Sequence, residues 1–288
     1  MPFTSSNSLN IKQRGNIHIM SRTTPAILIG LLMLALASSA AANVNRTELL
    51  KAADVKESGK YVRTRFLQMM QKPFDAEGKK KALIIGDSHA QDFLNGVLEN
   101  SYLLDYQIST RYIPVRCQIS LNADKAKFIK AKDKNFCAKA DSLQQAKNQI
   151  AEADLVILVA DWKEWAAKQL PKSINALGLT PEQKLFVIGR KSFGKVSIRD
   201  YLRLPDEQLL QLRNRTDDQQ LKIDKIMSIS LSNSVFINHH KLVCGVSEDC
   251  PVFTSDLKLI SFDGGHLTRD GASYIGKVLF ENSALGNL

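Results

Sequence analysis

The apolar positions along the chain alternate between two patterns. Short apolar runs at 82–86 (ALIIG), 155–159 (LVILV) and 185–189 (LFVIG) are long enough for a strand and too short for a helix. Unbroken apolar runs of this kind mark strands buried on both faces. Residues 106–112 and 235–238 read as two further strands. Between them lie stretches of helical spacing: 46–70 with Gly59 as a break, 90–100, 138–150, 162–170, 206–230 and 269–281. In 90–100, Phe93, Leu94, Val97 and Leu98 fall on one stripe, as an amphipathic helix requires. Strands that alternate with helices predict a parallel sheet covered on both sides. Five strands predict an α/β fold: a flavodoxin-like three-layer sandwich with a mostly parallel five-stranded sheet.

One apolar run does not fit this alternation. Residues 26–37 read AILIGLLMLALA, twelve positions without a polar side chain. A membrane span needs about 20 apolar residues. Arg22 precedes the run, and Ala40-Ala41-Ala42 follows with small side chains, which together read as a secretory signal peptide. An uncleaved anchor is the rival reading. Met20 offers an alternative start upstream of Arg22, and the mature chain is expected to begin near Asn43. The expected location is therefore periplasmic or secreted.

Composition adds limits. The 288 residues are 44% hydrophobic and 24% charged, which suits a chain with a full core and excludes a disordered or collagen-like one. The formal charge of +10 falls by three to +7 without Lys12, Arg14 and Arg22 of the leader. No Lys/Arg block with interleaved aromatics is present, so nucleic acid is not an indicated partner. Four cysteines in an exported chain suggest two disulfides, with three pairings open. The local pairing, Cys117–Cys137 with Cys244–Cys250, is preferred because each pair brackets a polar segment. Neither pair has the two-residue spacing of common zinc ligands.

In an open α/β sheet, ligands bind beyond the carboxyl ends of the strands. The first predicted strand ends at Gly86 and runs into Asp87-Ser88-His89. Ser88 thus sits where a helix starts, with free backbone donors and a dipole that favours negative charge. A serine there serves as a nucleophile or simply as a cap. At the far end of the chain, Asp263 precedes His266 by three residues on a loop with two glycines, and Thr268 is placed to cap the last helix. Asp263 can then hold one imidazole nitrogen of His266, leaving the other to take the proton of Ser88.

Gly86-Asp87-Ser88-His89 resembles the first block of the SGNH (GDSL-like) hydrolase superfamily, and Asp263-Gly264-Gly265-His266 resembles its last. Leu267-Thr268, Gly271-Ala272, Pro114-Val115-Arg116-Cys117, Ala160-Asp161-Trp162 and Cys244…Cys250-Pro251-Val252 narrow the likeness. Together they are similar to the SGNH domain fused to membrane acyltransferases that O-acetylate bacterial surface glycans. The likeness spans roughly 80–284. It divides the chain into upstream residues and leader (1–42), a helical extension (43–78) and an SGNH-like domain (79–288).

The resemblance implies ester chemistry on a carbohydrate: Ser88 attacks an acetyl carbonyl, His266 acts as base and then acid, and Asp263 orients it. An O-acetylated glycan or other acyl ester would be the substrate, a membrane acyltransferase a partner, and no metal or organic cofactor is required. Asp87, Arg116, Asp161 and Trp162 are the candidates for the oxyanion and substrate side, with Trp162 stacking on a sugar ring. The superfamily's third block carries an Asn donor, but here Asp161-Trp162-Lys163 follows the third strand. An ionised Asp cannot donate. The remaining donors are the Ser88 N–H, a backbone N–H near Val115-Arg116, or the Arg116 side chain. Two rivals stand beside this reading. One is a non-catalytic glycan-binding or assembly subunit of the same fold. The other is a metallophosphoesterase using Gly86-Asp87-Ser88-His89 with Asp263 and His266 as metal ligands, to which at most one of His239 and His240 could add a nitrogen, since they point oppositely if they extend a strand.

Overall fold

The structure is a computed structural model, and it describes residues 44–75, 78–121 and 125–288. The leader expected upstream of Asn43 lies outside the described residues. Among the described residues no helix is long and apolar enough to cross a membrane.

The strands are β1 (Lys80–Gly86), β2 (Tyr106–Tyr112), β3 (Leu155–Val159), β4 (Lys184–Ile188), β5 (Arg213–Arg215), β6 (Phe236–Ile237) and β7 (Asp249–Pro251). Five of them form one sheet in the order β2-β1-β3-β4-β6, and every neighbouring pair is parallel. This is the doubly wound order that the alternating pattern predicts. The main helices are α1 (Arg46–Ala52), α2 (Val55–Gln68), α3 (Ser88–Glu99), α4 (Glu164–Asn175), α5 (Gln220–Ser230), α6 (His239–Cys244) and α7 (Arg269–Glu281).

The period of two along each strand sorts side chains onto two faces. Ala82 and Ile84 join a cluster with Phe93, Leu94, Ile275 and Leu279 beneath α3 and α7. Leu83 and Ile85 join a second with Ala166, Leu170, Ile223 and Met227 beneath α4 and α5. β3 lies at the centre with all five residues buried, which is why its sequence is apolar without interruption. Helices α1 and α2 are packed against this body: Phe66 of α2 is fully buried in the first cluster, and Leu49 of α1 joins a third cluster with Tyr201 and Leu257.

β2 and β3 have the boundaries that the sequence predicts. Elsewhere side chains move the ends. The 46–70 segment breaks at Ala53–Asp54, where the Asp54 carboxylate accepts the Glu57 N–H, and Gly59 lies inside α2. The 138–150 segment is two short helices (Lys134–Lys139 and Lys147–Glu152), interrupted where Asp141 binds the Arg111 guanidinium and the Ser142 N–H. The 206–230 segment is interrupted by β5, which pairs antiparallel with β7. The last sheet strand stops at Ile237 because Asn238 caps α6 by accepting the Lys241 N–H. His239 and His240 therefore open a helix and do not extend a strand.

Both local disulfides are formed, Cys117–Cys137 and Cys244–Cys250, and no cysteine is free. α3 and α7 cross at Gly96 and Gly276, where a Cβ on Gly276 would lie 2.5 Å from the Gly96 carbonyl oxygen. Gly276→Ala is expected to destabilise the fold by about 1–3 kcal/mol through overpacking. Gly59→Ala, on an open helix face, is expected to be neutral or to stabilise by up to about 1 kcal/mol. Urea unfolding midpoints of the two variants test the contrast.

Candidate active site

The turn from β1 into α3 is built around close contact. A Cβ on Gly86 would sit 1.7 Å from the Val159 carbonyl oxygen, so only glycine lets β1 pass β3 there. Asp87 follows as the cap of α3. Its Oδ1 accepts the His89 N–H at 2.9 Å, and its Oδ2 accepts the Asp161 N–H at 2.9 Å. Burial pushes the Asp87 carboxyl up to about 6, against the pull of those two hydrogen bonds. Asp87 ties the turn after β1 to the turn after β3, and that is its place in the site rather than contact with substrate. Ser88, half-buried, is the first residue of α3. The Asp87 carbonyl takes the Ala90 and Gln91 N–H groups. Among the described residues the Ser88 N–H has no acceptor.

The opposite wall is the loop after Phe262. His266 Nδ1 lies 2.7 Å from Asp263 Oδ2, while Asp263 Oδ1 accepts the His266 N–H at 2.7 Å and the Gly265 N–H at 2.9 Å. Partial burial raises the Asp263 carboxyl, but the hydrogen bonds from His266 and Gly265 outweigh it and bring it down to about 2. An ionised carboxylate at Nδ1 fixes the tautomer with the proton on that nitrogen and leaves Nε2 as an acceptor. Gly264 adopts φ +90°, and a Cβ there would meet the Gly194 carbonyl oxygen at 1.9 Å. Phe262 stacks on the imidazole.

Ser88, Asp263 and His266 line one open cleft of about 590 Å³. Among the described residues the Ser88 hydroxyl makes no hydrogen bond, so serine and histidine share the cleft without being bonded.

A buried ion pair joins the two walls. Asp92, one turn along α3 from Ser88, places Oδ2 2.7 Å from Lys191 Nζ, and both side chains are buried. Asp92 Oδ1 accepts the Leu267 N–H at 3.2 Å, and Lys191 Nζ donates to the Gly265 carbonyl. The helix that starts at Ser88 is thus tethered on both sides of His266. Behind the pair, His89, His239 and Lys191 face a small enclosed cavity. Burial, with Lys191 adding to it, holds both imidazoles neutral: His89 falls well below its usual range and His239 to about 3.

Arg190 and Lys191 did not stand out in the sequence. Both lie just past β4, at the edge of the sheet where ligands bind, and that position was the available signal. Arg190 lines the cleft, with Nε 2.6 Å from Asp161 Oδ1 and a terminal nitrogen 2.6 Å from Asp217 Oδ2. Asp161 also lines the cleft and pairs with Lys163 at 2.7 Å. Burial raises the Asp161 carboxyl, but Arg190 and Lys163 outweigh it and leave the group ionised and unable to donate.

Two expected residues lie elsewhere. Trp162 is fully buried, with Nε1 donating to the Ile188 carbonyl at 2.8 Å, so it packs in the core and cannot stack on a sugar. Arg116 points into a neighbouring groove, where it sits over the Phe136 ring at 4.4 Å and 3.6 Å from Asp133. Its guanidinium does not line the Ser88 cleft, although the Val115 backbone beside it does. His239 and His240 do not line the cleft either. His240 bonds the Ser247 carbonyl, and the cysteines beside it are already joined to each other. His239 and His240 therefore add no nitrogen to the cleft, and among the described residues Asp87, His89, Asp263 and His266 do not converge as a ligand group.

Two predictions follow from the buried charges. Lys191→Met leaves Asp92 buried and unpaired and is expected to cost about 3–5 kcal/mol. Adding Asp92→Asn should recover part of that loss in a urea double-mutant cycle. The second concerns His239. Its folded-state pKa of about 3 lies below the unfolded value, so the unfolded chain takes up the proton first and stability falls as pH drops below about 6.5. His239→Leu is expected to gain on the wild type by about 1.4 kcal/mol per pH unit between pH 6 and pH 4, read from unfolding curves.

Comparison with curated proteins gave no match. A family model described as an SGNH domain fused to AT3 domains matches residues 54–281, from the cap of α2 to the end of α7. That span holds the whole sheet, both disulfides and every residue of the cleft. The chain belongs to this SGNH family of the acyltransferase-fused type, whose domains are hydrolases and acyltransferases of acyl esters.

Proposed function

We propose that the chain is an exported serine esterase or acetyltransferase that acts on O-acetyl groups of cell-envelope carbohydrate through an acyl-enzyme on Ser88. The observation that carries the reading is the Asp263–His266 bond on a loop lining the same cleft as Ser88. In unliganded sites catalytic hydrogen bonds are often long and tighten with substrate. Ser88 Oγ bonds to the acetyl carbon while His266 Nε2 takes its proton. The C–O bond to the sugar then breaks, and His266 returns the proton to the leaving oxygen. Water or a second sugar hydroxyl attacks the acetyl-serine, gives its proton to His266, and Ser88 is released with that proton. Asp263 balances the imidazolium in both halves. The Ser88 N–H at the start of α3, the Val115 backbone and the Arg190 guanidinium are the groups assigned to the oxyanion.

The leader pattern and the two disulfides support a periplasmic or secreted location. The family's fusion to acyltransferases supports a membrane acyltransferase as partner, handing on an acyl group. The alternative is a non-catalytic subunit of the same fold, favoured by the unbonded Ser88 hydroxyl and by Asp161 at the position of the missing Asn donor.

An activated acetyl ester and O-acetylated envelope polysaccharide separate the readings. Ser88→Ala is expected to lower kcat/KM by at least about 10³-fold, and Asp263→Asn by about 10³–10⁴-fold. A serine-directed phosphonate should label Ser88. Equal acetate release by wild type and Ser88→Ala would remove the nucleophile, and a wild type silent in every assay would leave the non-catalytic reading.

A further inference from the structure

A second groove opens beside the cleft. It has a volume of about 540 Å³, and Val115 lines both depressions, so they are neighbours at that residue. One wall is an aromatic pair: Phe128 and Trp165 stack with centroids 5.1 Å apart and planes within 6°. Phe128 leaves 42% of its surface in water. Among the described residues the rest of the rim is basic, with Arg116, Lys130, Lys132 and Lys163 against one acid, Asp133. Lys130 and Lys132 are exposed and make no ion pair with a described acid. Phe128, Lys130 and Lys132 all lie between Cys117 and Cys137, so the disulfide pins the wall that carries them.

Flat apolar faces stack on the C–H faces of sugar rings, and a ring of cations around them selects carboxylates or phosphates. We propose that this groove is a glycan subsite that binds carboxylate-bearing sugars flanking the acetylated residue, so that the substrate is an acidic polysaccharide. This deepens the esterase reading and rests on it for the role of the neighbouring cleft. A polymer seated with one acetyl group at Ser88 runs past Val115 onto the Phe128–Trp165 pair, with its carboxylates against Lys130 and Lys132. The exposed face of Phe128, backed by Trp165, thereby takes the stacking role for which the sequence pointed to Trp162.

The test is binding, in a Ser88→Ala background so that no turnover intervenes. The probes are polygalacturonate, neutral dextran and a single-stranded DNA oligonucleotide. The proposal expects polygalacturonate to bind more tightly than dextran or the oligonucleotide, and to bind more weakly as salt is raised. Lys130→Ala/Lys132→Ala and, separately, Phe128→Ala are each expected to weaken polygalacturonate binding by about tenfold. All three residues are exposed, and Lys130→Glu provides a charge reversal should one variant misfold. Unchanged polygalacturonate affinity in these variants, or an equal or greater preference for dextran or DNA, would overturn the subsite. Wild-type turnover of 4-nitrophenyl acetate is measured in parallel. A protein that binds through the groove but never turns over an ester sinks the esterase reading and leaves the subsite. An active ester hydrolase indifferent to the groove does the reverse.

Discussion

The relation between the two ends of the chain rests on one buried charge. Asp92 belongs to the helix that begins at Ser88, yet its carboxylate is occupied by Lys191 and by the backbone next to His266. An isolated carboxylate at full burial is strongly unfavourable, so its partners must be in place whenever the core is packed. The positions of the serine helix and the histidine loop are therefore set by the same condition that stabilises the core. The short-range bonds of Asp263 then need only orient the imidazole on a loop already anchored.

The electrostatic design of the cleft differs from that expected of a site with a neutral amide donor. The place after β3 holds an ionised carboxylate, and Arg190 binds it through Nε. That pairing leaves the cleft floor close to neutral locally while keeping a guanidinium within it. Under the proposed function, donation to a developing oxyanion falls to backbone groups at the start of α3 and to the arginine. Backbone donors are fixed by the fold and need no reorganisation as charge forms.

Features encoded locally were legible in the sequence. β2 and β3 follow Asp105 and Asp154, which disfavour strands, and the Gly86–Ser88 and Asp263–His266 turns carry their geometry within a few residues. What was not legible came from contacts between distant segments. β5 interrupts the 206–230 helix pattern because Asp249–Pro251, far along the chain, offers it a partner. Lys191 gains its role only from Asp92 and Gly265, nearly a hundred residues upstream and some seventy downstream. Trp162 and Trp165 look alike in sequence. A hydrogen bond to the Ile188 carbonyl draws the first inward, and only the packing of the 125–128 segment reveals the second as the half-buried partner of Phe128.

Helices α3 and α7 both start at the cleft, one at Ser88 and the other just after His266, and they touch backbone to backbone farther along, at Gly96 and Gly276. That crossing works as a fixed spacer on two levers. A methyl group added at the crossing pushes the rods apart, and the displacement is felt at their near ends, at the two walls of the cleft. Two residues with no side chain and no place in the cleft thereby calibrate how far apart those walls stand.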